Sequence, residues 1–165
     1  MTTVNDGSFS APGDNDYLIG NWGKTIINGG SFSGQYCCVN NFNGTTTING
    51  GAFSTAAYDA TGEYESCDLF ADSGLTVNGG TFSKDVTEYC ATGYHTALKG
   101  GVYEYGKHRY STVQTYTFCE ENGYVLITCG DCGNIYDSRE DEEAKQYLID
   151  NPYFVLTPLG HDYVN

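Results

Sequence analysis

The chain has 165 residues, enough for one or two small domains with a true core. Its 39% apolar residues are drawn mostly from Tyr, Phe, Val and Ile, and with 22 Gly they favour strands and turns over helices. The formal charge of −14 is spread along the chain, with eight acids and one base up to residue 83 and thirteen acids and six bases beyond, which disfavours nucleic acid and anionic membrane as partners and serves solubility. No apolar run is long enough to span a membrane, and no signal peptide follows Met1. The chain begins inside a repeat and ends on an unfinished motif, so it reads as a fragment of a longer protein, lacking its signal peptide.

One phrase recurs four times: Thr3-Val4-Asn5-Asp6-Gly7-Ser8-Phe9-Ser10, Ile26-Ile27-Asn28-Gly29-Gly30-Ser31-Phe32-Ser33, Thr47-Ile48-Asn49-Gly50-Gly51-Ala52-Phe53-Ser54 and Thr76-Val77-Asn78-Gly79-Gly80-Thr81-Phe82-Ser83. A period of 20–30 residues signals a solenoid, whose units bury an apolar face against their neighbours. Each copy sets a β-branched residue and a Phe around a Gly corner, so the expected fold is mainly β: a short right-handed parallel β-helix over 1–105. Each Phe enters a shared interior, worth roughly 1.5–3 kcal/mol, and Asn stacks on Asn along the ladder. A second strand follows each of the first three copies, at Tyr17-Leu18-Ile19, Tyr36–Val39 and Glu65–Phe70. The longer third interval implies an insertion around Ala56–Glu63. Cys37, Cys38 and Cys67 in these strands, and Cys90 beyond, are assigned to the core as small hydrophobes.

These phrases resemble the Gly-Gly-x-Phe-Ser β-helix repeats of large surface proteins from anaerobic gut bacteria. The resemblance covers about residues 1–105 and implies that the solenoid ends near Thr81–Tyr89. Asp85-Val86-Thr87-Glu88 reads as a capping box opening a two-turn helix that Gly93 stops. Tyr94–Leu98 and Val102–Tyr105 read as a hairpin around Lys99-Gly100-Gly101. Helix and hairpin together form a cap over open strand edges. His95 lies in the first of these strands and is expected to be structural.

Residues 106–165 are expected to form a second, small Cys/His module with one helix, truncated at its end. Cys129-Gly130-Asp131-Cys132-Gly133 can chelate one ion through two thiolates, Cys119 is a natural third ligand, and one His completes a Cys₃His set for a structural zinc. The segment carrying these ligands, about thirty residues long, needs such a staple. Gly106, His108, Tyr110, Cys119, Gly123-Tyr124 and Cys129–Gly133 resemble a tandem repeat of bacterial surface proteins running Gly-His-x-Tyr, Thr-Cys, Gly-Tyr, Cys-x-x-Cys-Gly. Here the Gly stands one position early, and Phe118 separates Thr117 from Cys119. The motif restarts at Gly160-His161-Asp162-Tyr163, so His161 is the alternative to His108 as fourth ligand. A disulfide or free thiols at Cys129 and Cys132 stay open beside the metal. Ser138-Arg139-Glu140-Asp141 reads as a capping box for a helix with Ala144, Tyr147 and Leu148 on one face, ended at Asn151-Pro152. Tyr153–Thr157 follows as a strand.

The expected function is non-catalytic: a spacer or adhesive scaffold for glycan or protein contacts, in a secreted or cell-surface bacterial protein. Trp22, the single Trp, packs at a coil edge or stacks on a sugar ring. The alternatives are a fragment of a polysaccharide-active β-helix enzyme and a phage-fibre module. An enzyme needs facing carboxylates, and Asp59 with Asp68, or Asp14 with Asp16, qualify only because acids abound. With Lys24 as the one base in the first 83 positions, lyase chemistry is poorly served.

Overall fold

A computed structural model describes residues 1–11, 17–57, 65–118 and 122–152. The chain is mainly β and divides into two compact units, Met1–Lys107 and His108–Asn165.

In the first unit the strands recur in threes. β1 (Thr2–Val4), β2 (Ser8–Ala11) and β3 (Tyr17–Asn21) are followed by β4 (Lys24–Ile27), β5 (Ser31–Gly34) and β6 (Cys37–Asn41). Next come β7 (Thr45–Ile48), β8 (Ala52–Thr55) and β9 (Cys67–Ala71), then β10 (Leu75–Val77) and β11 (Thr81–Phe82). Every third strand pairs in parallel, giving the orders β1-β4-β7-β10, β2-β5-β8-β11 and β3-β6-β9.

Register follows the repeat. Val4, Ile27, Ile48 and Val77 form one column, and Phe9, Phe32, Phe53 and Phe82 a second. Ile19, Val39 and Leu69 form a third. All three columns feed one apolar core. The Phe rings stack face to face, with centroids 5.1, 4.7 and 5.1 Å apart. Along the corner, Asn28 donates to Asn5, Asn49 to Asn28 and Asn78 to Asn49, at 2.8–3.1 Å. At Gly51, φ is +114° and a Cβ would meet the Gly30 carbonyl oxygen at 3.2 Å, so this corner requires glycine. A second Asn pair is buried: Asn21 Nδ2 donates to Asn41 Oδ1 at 2.8 Å and to Thr46 Oγ1 at 2.9 Å.

The far end is covered differently from the expectation. β12 (Tyr94–Lys99) and β13 (Val102–Lys107) do form a hairpin, and β13 pairs antiparallel with β11. The two-turn helix is replaced by a single 3₁₀ turn at Thr87–Tyr89. Cys90 leaves helical geometry at φ −79°, ψ 153° to bridge Val77 beside β10, and Val86 is drawn into the core. The Tyr89 hydroxyl accepts from the Ala71 amide at 3.3 Å. Each sheet edge at this end thereby gains a partner, which a longer helix would deny to β10. The insertion around Ala56–Glu63 lies mostly outside the described residues.

The second unit holds β14 (Tyr110–Tyr116), β15 (Tyr124–Cys129) and β16 (Ile135–Asp137) as an antiparallel sheet, and α1 (Glu142–Asp150). Ala144, Tyr147 and Leu148 of α1 pack on Val125 and Ile127 of β15. The N-cap is Asp141 rather than Ser138, because the Ser138 hydroxyl accepts from the Val125 amide at 3.0 Å. The expected strand at Tyr153–Thr157 lies outside the described residues.

Candidate metal centre

Within the second unit, strand pairing brings the turn after β15 beside the start of β14. The Gly130 amide donates to the Arg109 carbonyl at 2.8 Å, and the Arg109 guanidinium forks onto the Asp131 carboxylate, its Nε at 2.7 Å from Oδ2. Cys129 closes β15, and its amide donates to the Asn134 carbonyl at 2.9 Å. Gly133, at φ +77°, donates to the Cys129 carbonyl and reverses the chain into β16. Both thiols of the Cys-x-x-Cys turn thereby face His108, which lies next to Arg109.

His108 is 6% exposed and Cys129 fully buried. Their ligand atoms and that of Cys132 lie within 4.8 Å of one another. His108 Nδ1 stands 3.8 Å from Cys132 Sγ. A tetrahedral zinc has S···N and S···S edges of about 3.5–3.8 Å, so these donors need little movement to hold one. The other imidazole nitrogen is engaged: Nε2 lies 3.0 Å from the Tyr136 hydroxyl and 3.4 Å from Glu143 Oε2. Tyr110 donates to the same carboxylate oxygen at 3.2 Å. A carboxylate behind the imidazole fixes ring orientation and raises ligand basicity, leaving Nδ1 as the metal-facing atom.

The thiols are tuned for the same task. Burial works against ionisation of Cys129, but the hydrogen bond with His108 and the backbone amides of Cys132, Asp131 and Arg109 outweigh it, bringing the thiol down to about 7. Burial, with the Cys129 sulfur beside it, pushes Cys132 up. One thiolate is thus available near neutrality, and a bound cation would draw the proton from the second. Burial first, then the Glu143 charge, pushes the Tyr110 hydroxyl up. Burial likewise raises Tyr136, to about 12, so both phenols stay neutral hydrogen-bond partners.

Of the expected ligands, His108, Cys129 and Cys132 come together. Cys119 and His161 lie outside the described residues. His95 is buried in β12 of the first unit. Of the supporting residues, Tyr110 is the Tyr of the Gly-His-x-Tyr phrase, whereas Tyr136 and Glu143 carried no motif. The one available signal was that Glu143 and Tyr147, four apart on α1, share the face that packs on the sheet.

The first unit carries two further surfaces. Trp22 is 67% exposed and lies flat on Phe42, with centroids 4.4 Å apart, while Tyr17 meets Phe42 edge-on at 5.2 Å. Ser8, Ser10, Ser31, Ser33 and Ser54 line an open groove of about 440 Å³ along the Phe column. Of the paired carboxylates, Asp68 is fully buried and accepts from the Thr55 and Ser83 hydroxyls and the Ser83 and Lys84 amides, which makes it a strut of the fold. Asp14, Asp16 and Asp59 lie outside the described residues. Compared with known proteins, the chain matches no family model, no curated protein and no solved structure.

Proposed function

We propose that the chain is a non-catalytic spacer and adhesive segment of a secreted or cell-surface bacterial protein. In this reading residues 1–105 form a short right-handed parallel β-helix, followed by a zinc-clamped module. The observation that carries the β-helix is the in-register recurrence of three strands per repeat around one core. Such a stack is stiff along its length, because each turn is bonded to the next by backbone, by stacked rings and by Asn ladders. Its flanks then present repeated groups to a partner. The exposed Trp22–Phe42 pair offers a flat apolar face of the kind that stacks on a pyranose ring, and the serine-lined groove offers hydroxyls. The formal charge of −14 favours a neutral glycan or a basic protein surface over a polyanion.

Screening the purified chain and its Trp22→Ala variant on glycan and matrix-protein arrays tests the adhesive role. Binding that the variant loses supports it; arrays empty for the wild type overturn it. The zinc clamp is tested by native mass spectrometry before and after a chelator. One zinc per chain, lost in His108→Ala, supports it. No metal, with a two-dalton gain on reduction that peptide mapping places on Cys129 and Cys132, makes them a disulfide instead. Substituting Cys119 and His161 separately tests the remaining expected ligands.

A further inference from the structure

Three cysteines of the β3-β6-β9 sheet were expected to act only as small core hydrophobes. Cys38 does so: it packs in the core, and burial holds its thiol up at about 12. Cys37 and Cys67 differ. They are direct partners in the parallel register of β6 and β9, and their sulfurs lie 3.2 Å apart. Neighbouring parallel strands run about 4.8 Å apart, inside the Cα separation of about 4.4–6.8 Å that a disulfide accepts. Closing the bond to about 2.05 Å needs about 1 Å of sulfur movement, within reach of small χ1 changes.

The two thiols are also unequal. Cys37 is fully buried, whereas Cys67 is partly exposed and lines an open cleft with Glu65, Ser66 and Lys84. Lys84 Nζ is anchored by the Ala56 and Ser66 carbonyls, each at 2.9 Å, which keeps its charge beside the cleft. Contact with Cys37 lowers the Cys67 thiol, and Lys84 acts in the same direction against burial and Asp68. Contact with Cys67, then burial, pushes Cys37 up. Of the two sulfurs, Cys67 is the one that solvent and a small oxidant can reach.

We propose that Cys37 and Cys67 are a redox-active cross-strand dithiol, with Cys67 the sulfur that a hydroperoxide oxidises and Cys37 the resolving thiol. Thiolate with a buried resolving neighbour is the arrangement that peroxide-sensing cysteines use. The Cys67 thiolate attacks the peroxide oxygen, the O–O bond breaks, and the alkoxide or hydroxide leaving group takes up a proton. Cys67 is then a sulfenic acid. The Cys37 sulfur attacks it, the S–S bond forms, and the hydroxyl leaves as water with the Cys37 proton. In sum, two thiols and one hydroperoxide give one disulfide, one alcohol (water for hydrogen peroxide) and one water. Two electrons pass from sulfur to the peroxide. The new bond ties one repeat to the next across the insertion before β9.

The test uses the full chain, reduced and zinc-loaded, treated with near-stoichiometric hydrogen peroxide, alkylated and cleaved at acidic residues. Cleavage at Glu63 or Glu65 separates Cys67 from Cys37 and Cys38. The expected product is a cross-linked peptide pair two daltons light, with fragment ions placing the bond on Cys37 and leaving Cys38 alkylated. The unfolding midpoint of the first unit rises by on the order of 10 °C. In Cys37→Ser, a dimedone adduct forms on Cys67. Should that variant fail to fold, the wild-type map decides alone. Cys67 remaining a free thiol, overoxidising without a cross-link, or pairing with any other cysteine overturns the proposal.

Discussion

At the scale of single residues, one position of the repeat does two jobs according to where it sits in the column. Phe32, Phe53 and Phe82 are at most 3% exposed, whereas Phe9, stacked on a single neighbour, is 37% exposed. Ring stacking adds about 0.5–1.5 kcal/mol per pair to the burial of area. Phe53→Ala, which breaks two stacks and opens a cavity, is expected to cost about 3–5 kcal/mol. Phe9→Ala is expected to cost less than half as much. Urea unfolding of both variants checks the ratio, and equal losses would mean the column does not set stability. Asp68 shows the polar counterpart: a buried carboxylate held by four donors from two segments, whose removal would strand the Ser83 and Lys84 amides.

At the scale of elements, the end of the stacked parallel sheets depends on a side-chain knot rather than on a helix. Asp85 accepts from the Thr87 amide at 2.9 Å and from the Thr87 and Thr96 hydroxyls at 2.6 and 2.7 Å, tying the 3₁₀ turn to β12. Burial opposes ionisation of Asp85, but these bonds and the nearby His95 outweigh it, so its pKa falls below the usual 3.8. A carboxylate depressed on folding contributes stability that is present above its unfolded pKa and lost as pH falls through the folded one. The advantage of the wild type over Asp85→Asn is therefore expected to be full at pH well above 3.8 and to be lost progressively as pH falls below it. Thermal melts of the first unit across that range measure it. An advantage that does not change with pH would show that the charge is irrelevant to the knot.

At the scale of the whole molecule, the two units rely on different sources of stability. Among the described residues, the first has an apolar cluster of eleven buried residues contributed by all three sheets, and the second a smaller one of Val125, Ile127 and Ala144. So small an apolar cluster offsets little of the ordering entropy, and in the proposed reading a bound metal is the supplement. A chelator is expected to unfold the second unit and leave the first unit's transition in place. Glu143→Gln, which weakens the support behind His108, is expected to lower zinc affinity by about 10-fold or more. Competition with a chromophoric chelator reads the affinity, and calorimetry separates the transitions. Unchanged affinity would mean that Tyr136 alone orients the ring.

The repeat made the parallel pairing, its register, the Phe column and the Asn corner legible in the sequence, because parallel strands of successive repeats write their contacts as a period. The Cys-x-x-Cys turn was legible because its short spacing limits where the two thiols can point, whereas His108 was named through the Gly-His-x-Tyr resemblance, with His161 as its alternative. What only the tertiary structure decided lies where neighbours in space are far apart in the chain. Cys37 meets Cys67 because the strands of successive repeats align. The expected helix after Lys84 is reduced to one turn because Cys90 satisfies the edge of β10 at Val77. Tyr136 and Glu143 converge on His108 from β16 and α1, elements that no local pattern connects to it. Sequence alone specified the local geometry and the repeated contacts, for which spacing is enough. The non-repeating contacts depended on which polar and apolar groups the finished packing left to be satisfied, and that is a property of the folded chain.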